Sequence, residues 1–240
     1  PTEKWVVDFD DAQCVASRNY GSAEKPLFLV LKPSPMGDSI MVSVLRKGSK
    51  QPLAEEHDGE IIIDRAPPVA VSFLSFGSSS GIQSTRITLS DSQFLPIRSA
   101  AALSVRGEGI NESFVLRQLP ELMRTLDACV ADLQRAWNVG PYAATALKQR
   151  AQGSLAGLFS SDDYPGMSLF KGESGTVGVA LLIDAQGAVA DCTVSKTSGV
   201  AALDAQACTM IAKRVKITPA VGLDGKPARD SYSQRITWRF

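Results

Sequence analysis

Gly77-Ser78-Ser79-Ser80-Gly81 has the G-x-S-x-G spacing that lifts a serine nucleophile onto a strand-to-helix turn, and it follows an apolar run. Acyl transfer by such a serine needs a helix directly after it and a histidine later in the chain to take the proton. Ile82, Thr85, Ile87 and Leu89 read instead as a continuing strand, and the single histidine, His57, comes earlier. The segment is therefore expected to be a hairpin loop of small residues, and no catalytic residue is assigned. His57 lies in Glu55-Glu56-His57-Asp58-Gly59, which reads as a solvated polar turn. One imidazole among carboxylates makes a poor metal site. Asp162-Asp163, with Asp184 and Asp191 elsewhere, repeat a paired-carboxylate pattern without a partner base, and they read as caps and turn residues. Neither a phosphate-binding loop nor a dinucleotide fingerprint is present, so no cofactor and no metal is expected.

The four cysteines, Cys14, Cys129, Cys192 and Cys208, form no C-x-x-C pair, which argues against zinc. Their even number and wide spacing suit two disulfides in an oxidising compartment, with buried free thiols as the alternative. Lysine and arginine total 25 and aspartate and glutamate total 25, so no net field favours nucleic acid or an anionic membrane. With 44% apolar and 21% charged residues in 240, the chain can bury a substantial core, and its length suits two domains. No stretch approaches the roughly 20 consecutive apolar residues that span a bilayer. The sequence opens on Pro1 rather than methionine, consistent with a leader or anchor upstream.

The elements that would position any site fall into two groups. From Trp5 to about Glu112, short apolar runs alternate with turn chemistry, predicting strands at 5–9, 13–20, 26–31, 39–46, 60–64, 69–76 and 82–89. Pro33, Pro35, Gly37, Gly48, Pro67 and Pro68 punctuate them. The period then changes. Leu119, Leu122, Met123, Leu126, Cys129, Val130, Leu133 and Trp137 recur at threes and fours, with Pro120 near the start, predicting a helix of about five turns. Cys129 on that apolar stripe faces the sheet that carries Cys14, so a Cys14–Cys129 bridge is expected. Asn138-Val139-Gly140-Pro141 reads as a stop and restart, after which Leu147, Ala151, Leu155 and Leu158 share a helical face. Residues 139–163 are accordingly expected to be a helical linker, following a β-rich domain over 1–138.

Beyond it, Val177, Val179, Leu181 and Ile183 alternate, Asp184-Ala185-Gln186-Gly187 turns the chain, and Ala190, Cys192 and Val194 return. A helix carrying Leu203, Ala207, Met210, Ile211 and Arg214 follows. Finally Tyr232, Ile236, Trp238 and Phe240 point one way while Ser231, Ser233, Arg235, Thr237 and Arg239 point the other. The order is β-β-α-β. The expected fold class is α+β: an N-terminal antiparallel β sandwich or barrel closed by a helix, plus this second domain over 164–240.

Several landmarks over 163–240 resemble the TonB C-terminal domain family: Tyr164-Pro165, the hairpin with Asp184 and Gly187, Ser198-Gly199 ahead of Leu203-Asp204, Pro219-Ala220 before Gly225, and the closing Ile236-Thr237-Trp238-Arg239-Phe240. Divergent members carry a cysteine on the second strand and another on the following helix, so the resemblance implies a Cys192–Cys208 bond. It also implies an energy transducer of the Gram-negative periplasm, in which the last strand is a sheet edge that an outer-membrane receptor, or another envelope protein, extends with a peptide strand. The residues this assigns to partner binding are Tyr232, Ser233, Gln234, Arg235, Ile236, Thr237 and Trp238. An inner-membrane motor enters only through an anchor ahead of Pro1. The alternative is a structural scaffold in which the same edge builds a homodimer. Lys213, Arg214 and Lys216, joined by Arg235 and Arg239, form a basic patch suited to an acidic polymer or receptor, or a solvated helix end. The N-terminal part, with Trp5-Val6-Val7, Cys14 and Phe114-Val115-Leu116, is loosely similar to periplasmic proteins of the invasion-associated locus B type and carries no functional residue over.

Overall fold

The computed structural model describes residues 4–36, 39–48, 54–155 and 157–239; Gly37 and Phe240 lie outside them. The fold is α+β. Nine antiparallel strands form one curled sheet: β1 (Val6–Phe9), β2 (Cys14–Asn19), β3 (Leu27–Pro33), β4 (Ser39–Lys47), β5 (Glu55–Ile63), β6 (Val69–Gly77), β7 (Ile82–Ser90), β8 (Ala102–Gly107) and β9 (Ile110–Val115). Their order is β1-β2-β3-β4-β7-β6-β5-β8-β9. The sheet curls as a half-barrel, and side chains near β1 and β2 tie it to the far edge. Trp5 Nε1 donates to Arg117 O at 3.0 Å and Tyr20 OH to Val115 O at 3.0 Å.

Between β7 and β8 lie a short α1 (Asp91–Phe94) and a 3-10 turn over Leu95–Ser99. After β9, α2 (Leu119–Ala136) begins with Pro120 in its first turn and packs across the concave face of the sheet. Leu119, Leu122, Met123, Leu126, Cys129 and Leu133 are all buried, the stripe that the threes-and-fours spacing requires. They meet Leu29, Leu31, Val42, Val44, Ile87 and Leu89, every second residue of their strands. Cys14 and Cys129 are bonded inside this core.

Two expectations fail here. His57 is not in a turn: β5 starts at Glu55, so the imidazole belongs to a strand, stacked on Phe73 and beside the Glu108 carboxylate at 3.2 Å. The helix expected through Leu158 stops early. α3 covers Pro141–Ala146, after which β10 (Leu147–Gln149) and β11 (Gln152–Gly153) are short strands. They pair with β15 (Ala220–Gly222) and β14 (Ile217–Thr218), so tertiary pairing overrides the local period.

The C-terminal part adds a short α4 (Gly166–Phe170), β12 (Gly175–Ile183), β13 (Val189–Lys196), α5 (Ala201–Arg214), β16 (Pro227–Ala228) and β17 (Asp230–Trp238). Its main sheet has the order β13-β12-β17, and the helix covers one face. Val177, Val179, Leu181 and Ile183 of β12 pack against Leu203, Ala207 and Ile211 of α5. Leu182 points the other way, into the first core. Cys192 of β13 and Cys208 of α5 are bonded.

Candidate functional site

β17 alternates as an amphipathic edge strand should. Ile236 and Trp238 are buried in the second core, while Ser233, Arg235 and Thr237 are exposed. Trp238 is held edge-on by two rings, Phe159 and Tyr164, each with its centroid 5.4 Å away. The register with β12 runs without a break from Asp230 opposite Ile183 to Trp238 opposite Gly175.

Which backbone groups of β17 face outward follows from local hydrogen bonds. Ser231 N–H donates to Asp230 Oδ1 at 2.7 Å, and Ser231 O accepts from Arg150 Nη2 at 2.8 Å, so Ser231 does not exchange bonds with Leu182 across the sheet. In an antiparallel ladder such positions alternate. The outward set is therefore Ser231, Ser233, Arg235 and Thr237. Arg235 agrees, because its N–H turns to Gln234 Oε1 at 3.3 Å rather than to β12.

The two ends of that edge differ. At the start of β17, Arg150 Nε spans both oxygens of Asp230 at 2.9 and 2.8 Å, Ala151 N–H donates to Asp230 Oδ2 at 2.7 Å, and Tyr232 OH donates to Gly153 O at 3.0 Å. Arg229 adds an ion pair to Asp11 and stacks on Trp137. This end is clamped. From Ser233 to Thr237, no backbone bond to another strand is present on the outer side among the described residues.

The other edge of the same sheet is taken. β13 docks on the N-terminal sheet: Ser39 Oγ donates to Val194 O, Ser34 and Thr193 share a hydroxyl contact at 3.1 Å, and Lys32 pairs with Asp191 at 2.8 Å. An exposed strand edge offers unpaired donors and acceptors. Among the described residues both edges of this sheet lack a further strand, but β13 is covered by side chains of the N-terminal sheet, whereas β17 has no such cover over Ser233–Thr237.

Of the residues predicted for partner binding, Ser233, Arg235 and Thr237 present backbone groups outward, Gln234 is exposed, and Tyr232, Ile236 and Trp238 turn their side chains toward the core. The loop at Gly77–Gly81 is a hairpin turn in which Ser78 N–H donates to Ile82 O at 2.8 Å, and β7 follows it. Asp184 closes the β12–β13 turn by accepting Gln186 and Ala188 N–H at 2.9 and 2.8 Å. Asp163 caps its 3-10 turn through Ser160 and receives Arg214 at 2.6 and 2.7 Å, so Arg214 is withdrawn from the expected basic patch.

The Ser198-Gly199 to Asp204 spacing also acquires a physical cause. Asp204 is buried and accepts from Thr197 Oγ1, Ser198 N–H and Ser198 Oγ, fixing the turn into α5, with Gly199 at φ +90° where a side chain would strain it. Burial pushes the Asp204 carboxyl up, against those three hydrogen bonds. The clamp of Arg150 on Asp230 was not foreseen, because the two are far apart in sequence and each reads as an ordinary surface charge.

No helix among the described residues is long and apolar enough to cross a membrane, and no cluster of three or more His, Cys, Asp or Glu side chains suited to a metal occurs among them. No curated protein and no solved structure matched the chain. A family model does: residues 160–240 match the family described as Gram-negative bacterial TonB protein C-terminal, so the C-terminal third of this protein is similar to a TonB C-terminal domain.

Proposed function

We propose that this is a periplasmic envelope protein whose residues 164–240 capture an extended partner peptide as a fourth strand along Ser233–Thr237, coupling it to outer-membrane transport. One observation carries the reading: the β17 edge is open over these residues, while side chains of the chain's own N-terminal sheet lie against the opposite edge strand, β13. Backbone pairing would supply affinity, and the outward-facing Ser233, Arg235 and Thr237 would set its register. Residues 1–138 act as a docking module that shields β13, and 139–163 connect the two parts.

The test is a titration of the ¹⁵N-labelled chain with synthetic peptides from the periplasmic N-terminal segments of outer-membrane receptors of the same organism. Amide shifts confined to residues 232–238 are expected. No shift at millimolar peptide overturns the reading. A concentration-dependent dimer that buries the same amides without peptide supports a self-associating scaffold instead.

A further inference from the structure

A cavity of about 380 Å³ lies where the C-terminal domain docks on the outer face of the N-terminal sheet, a volume within the range of small-molecule sites. Its floor is that outer face, with Val15, Met41, Leu74, Arg86 and Thr88. Its opposite wall is β13 and α5, including the Cys192–Cys208 bridge.

The charges around it are unevenly matched. Lys32 is paired with Asp191 at 2.8 Å, and Asp204 is occupied by Thr197 and Ser198. Arg86 has neither an ion pair nor a hydrogen bond among the described residues, and its Nε is buried without a partner. Its compensation is the ring of Phe76, with the guanidinium carbon 5.0 Å from the centroid. Burial lowers its basicity, the direction expected of a cation removed from water without a counter-ion. A partly desolvated guanidinium presents a planar fork of donors that fits a carboxylate through two parallel bonds. The remaining lining divides between hydroxyls, such as Thr88 and Thr193, and apolar surface from Val15, Met41 and Leu74.

We infer that this interdomain cavity binds a small organic carboxylate, its head group on Arg86 and its apolar body against Met41 and Leu74. The site is independent of the β17 edge.

The test adds hexanoate, hexan-1-ol, hexylamine or inorganic phosphate to the full 240-residue chain with both disulfides closed, following the methyl resonances of Met41, Thr88 and Thr193. Hexanoate is expected to bind at least tenfold more tightly than the other three. Arg86→Met should abolish that margin and leave the melting temperature unchanged or higher, because an unpaired, partly buried cation is replaced by an apolar chain. Thr88→Phe, which fills the cavity and leaves Arg86 in place, should abolish binding as well, and it decides the matter if the arginine variant does not fold. Equal binding of hexanoate and hexan-1-ol, a preference for phosphate, or full hexanoate affinity in Arg86→Met overturns the inference.

Discussion

Glu56 of the N-terminal sheet caps the helix of the C-terminal domain: its Oε1 accepts the N–H of Ala202 at 3.1 Å. Val200, the residue at the helix start, supplies no side-chain cap of its own. Ser72, itself bonded to Glu56 at 2.5 Å, accepts the N–H of Ala201 at 3.0 Å. Two orphan donors of α5 are thus satisfied across the domain junction, and the carboxylate meets the positive end of the helix. Glu56→Ala should lower stability by about 1–2 kcal/mol, the range for loss of a cap. Faster hydrogen exchange at Ala201 and Ala202 should accompany it. Unchanged exchange at those amides would show that the cap does not hold the junction.

The outward set on β17 makes a sharper prediction from neighbouring residues. Proline at Ser233 deletes an N–H that faces away from β12, so it should leave the fold nearly intact, within about 1 kcal/mol, while abolishing peptide capture. Proline at Gln234 deletes an N–H that points into the ladder, leaves a β12 carbonyl without its donor and should cost about 1–3 kcal/mol. Thermal unfolding and peptide titration of the two variants check this together. Loss of fold in Ser233→Pro with retention in Gln234→Pro would mean that the register is reversed.

Strands with a clear alternation, such as Val177-Gly178-Val179-Ala180-Leu181, and the apolar stripe of α2 were legible in the sequence because one face of each had to be buried. Glu55–Gly59 was not, since its charged residues form a strand only by pairing with β6, and with β8 from Gly59 onward. β8 and β9 escaped for a related reason: Ser104, Arg106, Glu112 and Ser113 dilute the pattern, and their ladder is set by partners elsewhere in the sheet. Leu147, Ala151, Leu155 and Leu158 kept a helical spacing, yet the chain there forms the short strands β10 and β11 against β15 and β14, and Leu155 and Leu158 follow in a turn packed on the second core. At the candidate site, the strand was legible from its alternation. Which end lies open was not, because that depends on Arg150 and Asp230 meeting across 80 residues.

The two disulfides should contribute unequally. Cys14–Cys129 closes a sequence separation of 115 residues and Cys192–Cys208 one of 16. Chain entropy then gives about 4.7 kcal/mol for the first and about 3 kcal/mol for the second. Denaturant titration of the paired serine variants should show the larger loss for Cys14→Ser/Cys129→Ser. Intact mass before and after reduction should differ by four hydrogens. An equal or reversed order of stability would place the main effect in native packing around Cys192 and Cys208.

Acid should act through Asp163. Two hydrogen bonds from Arg214, first among the causes, and the N–H of Ser160 hold its carboxyl at about 2, below the ordinary 3.8. A carboxylate depressed in the folded state gives its full stabilisation above the unfolded value and loses it as pH falls toward the folded one. The contribution is therefore complete above about pH 4 and fades between about 4 and 2. Asp163→Asn should be less stable than the parent at neutral pH, and the gap should close as pH falls through that window. Arg214→Gln should behave alike, because it removes the same pair from the other side. Parallel stability curves for parent and Asp163→Asn down to pH 2 would show that the pair does not form in solution, and would release Arg214 to the basic surface near Lys213 and Lys216.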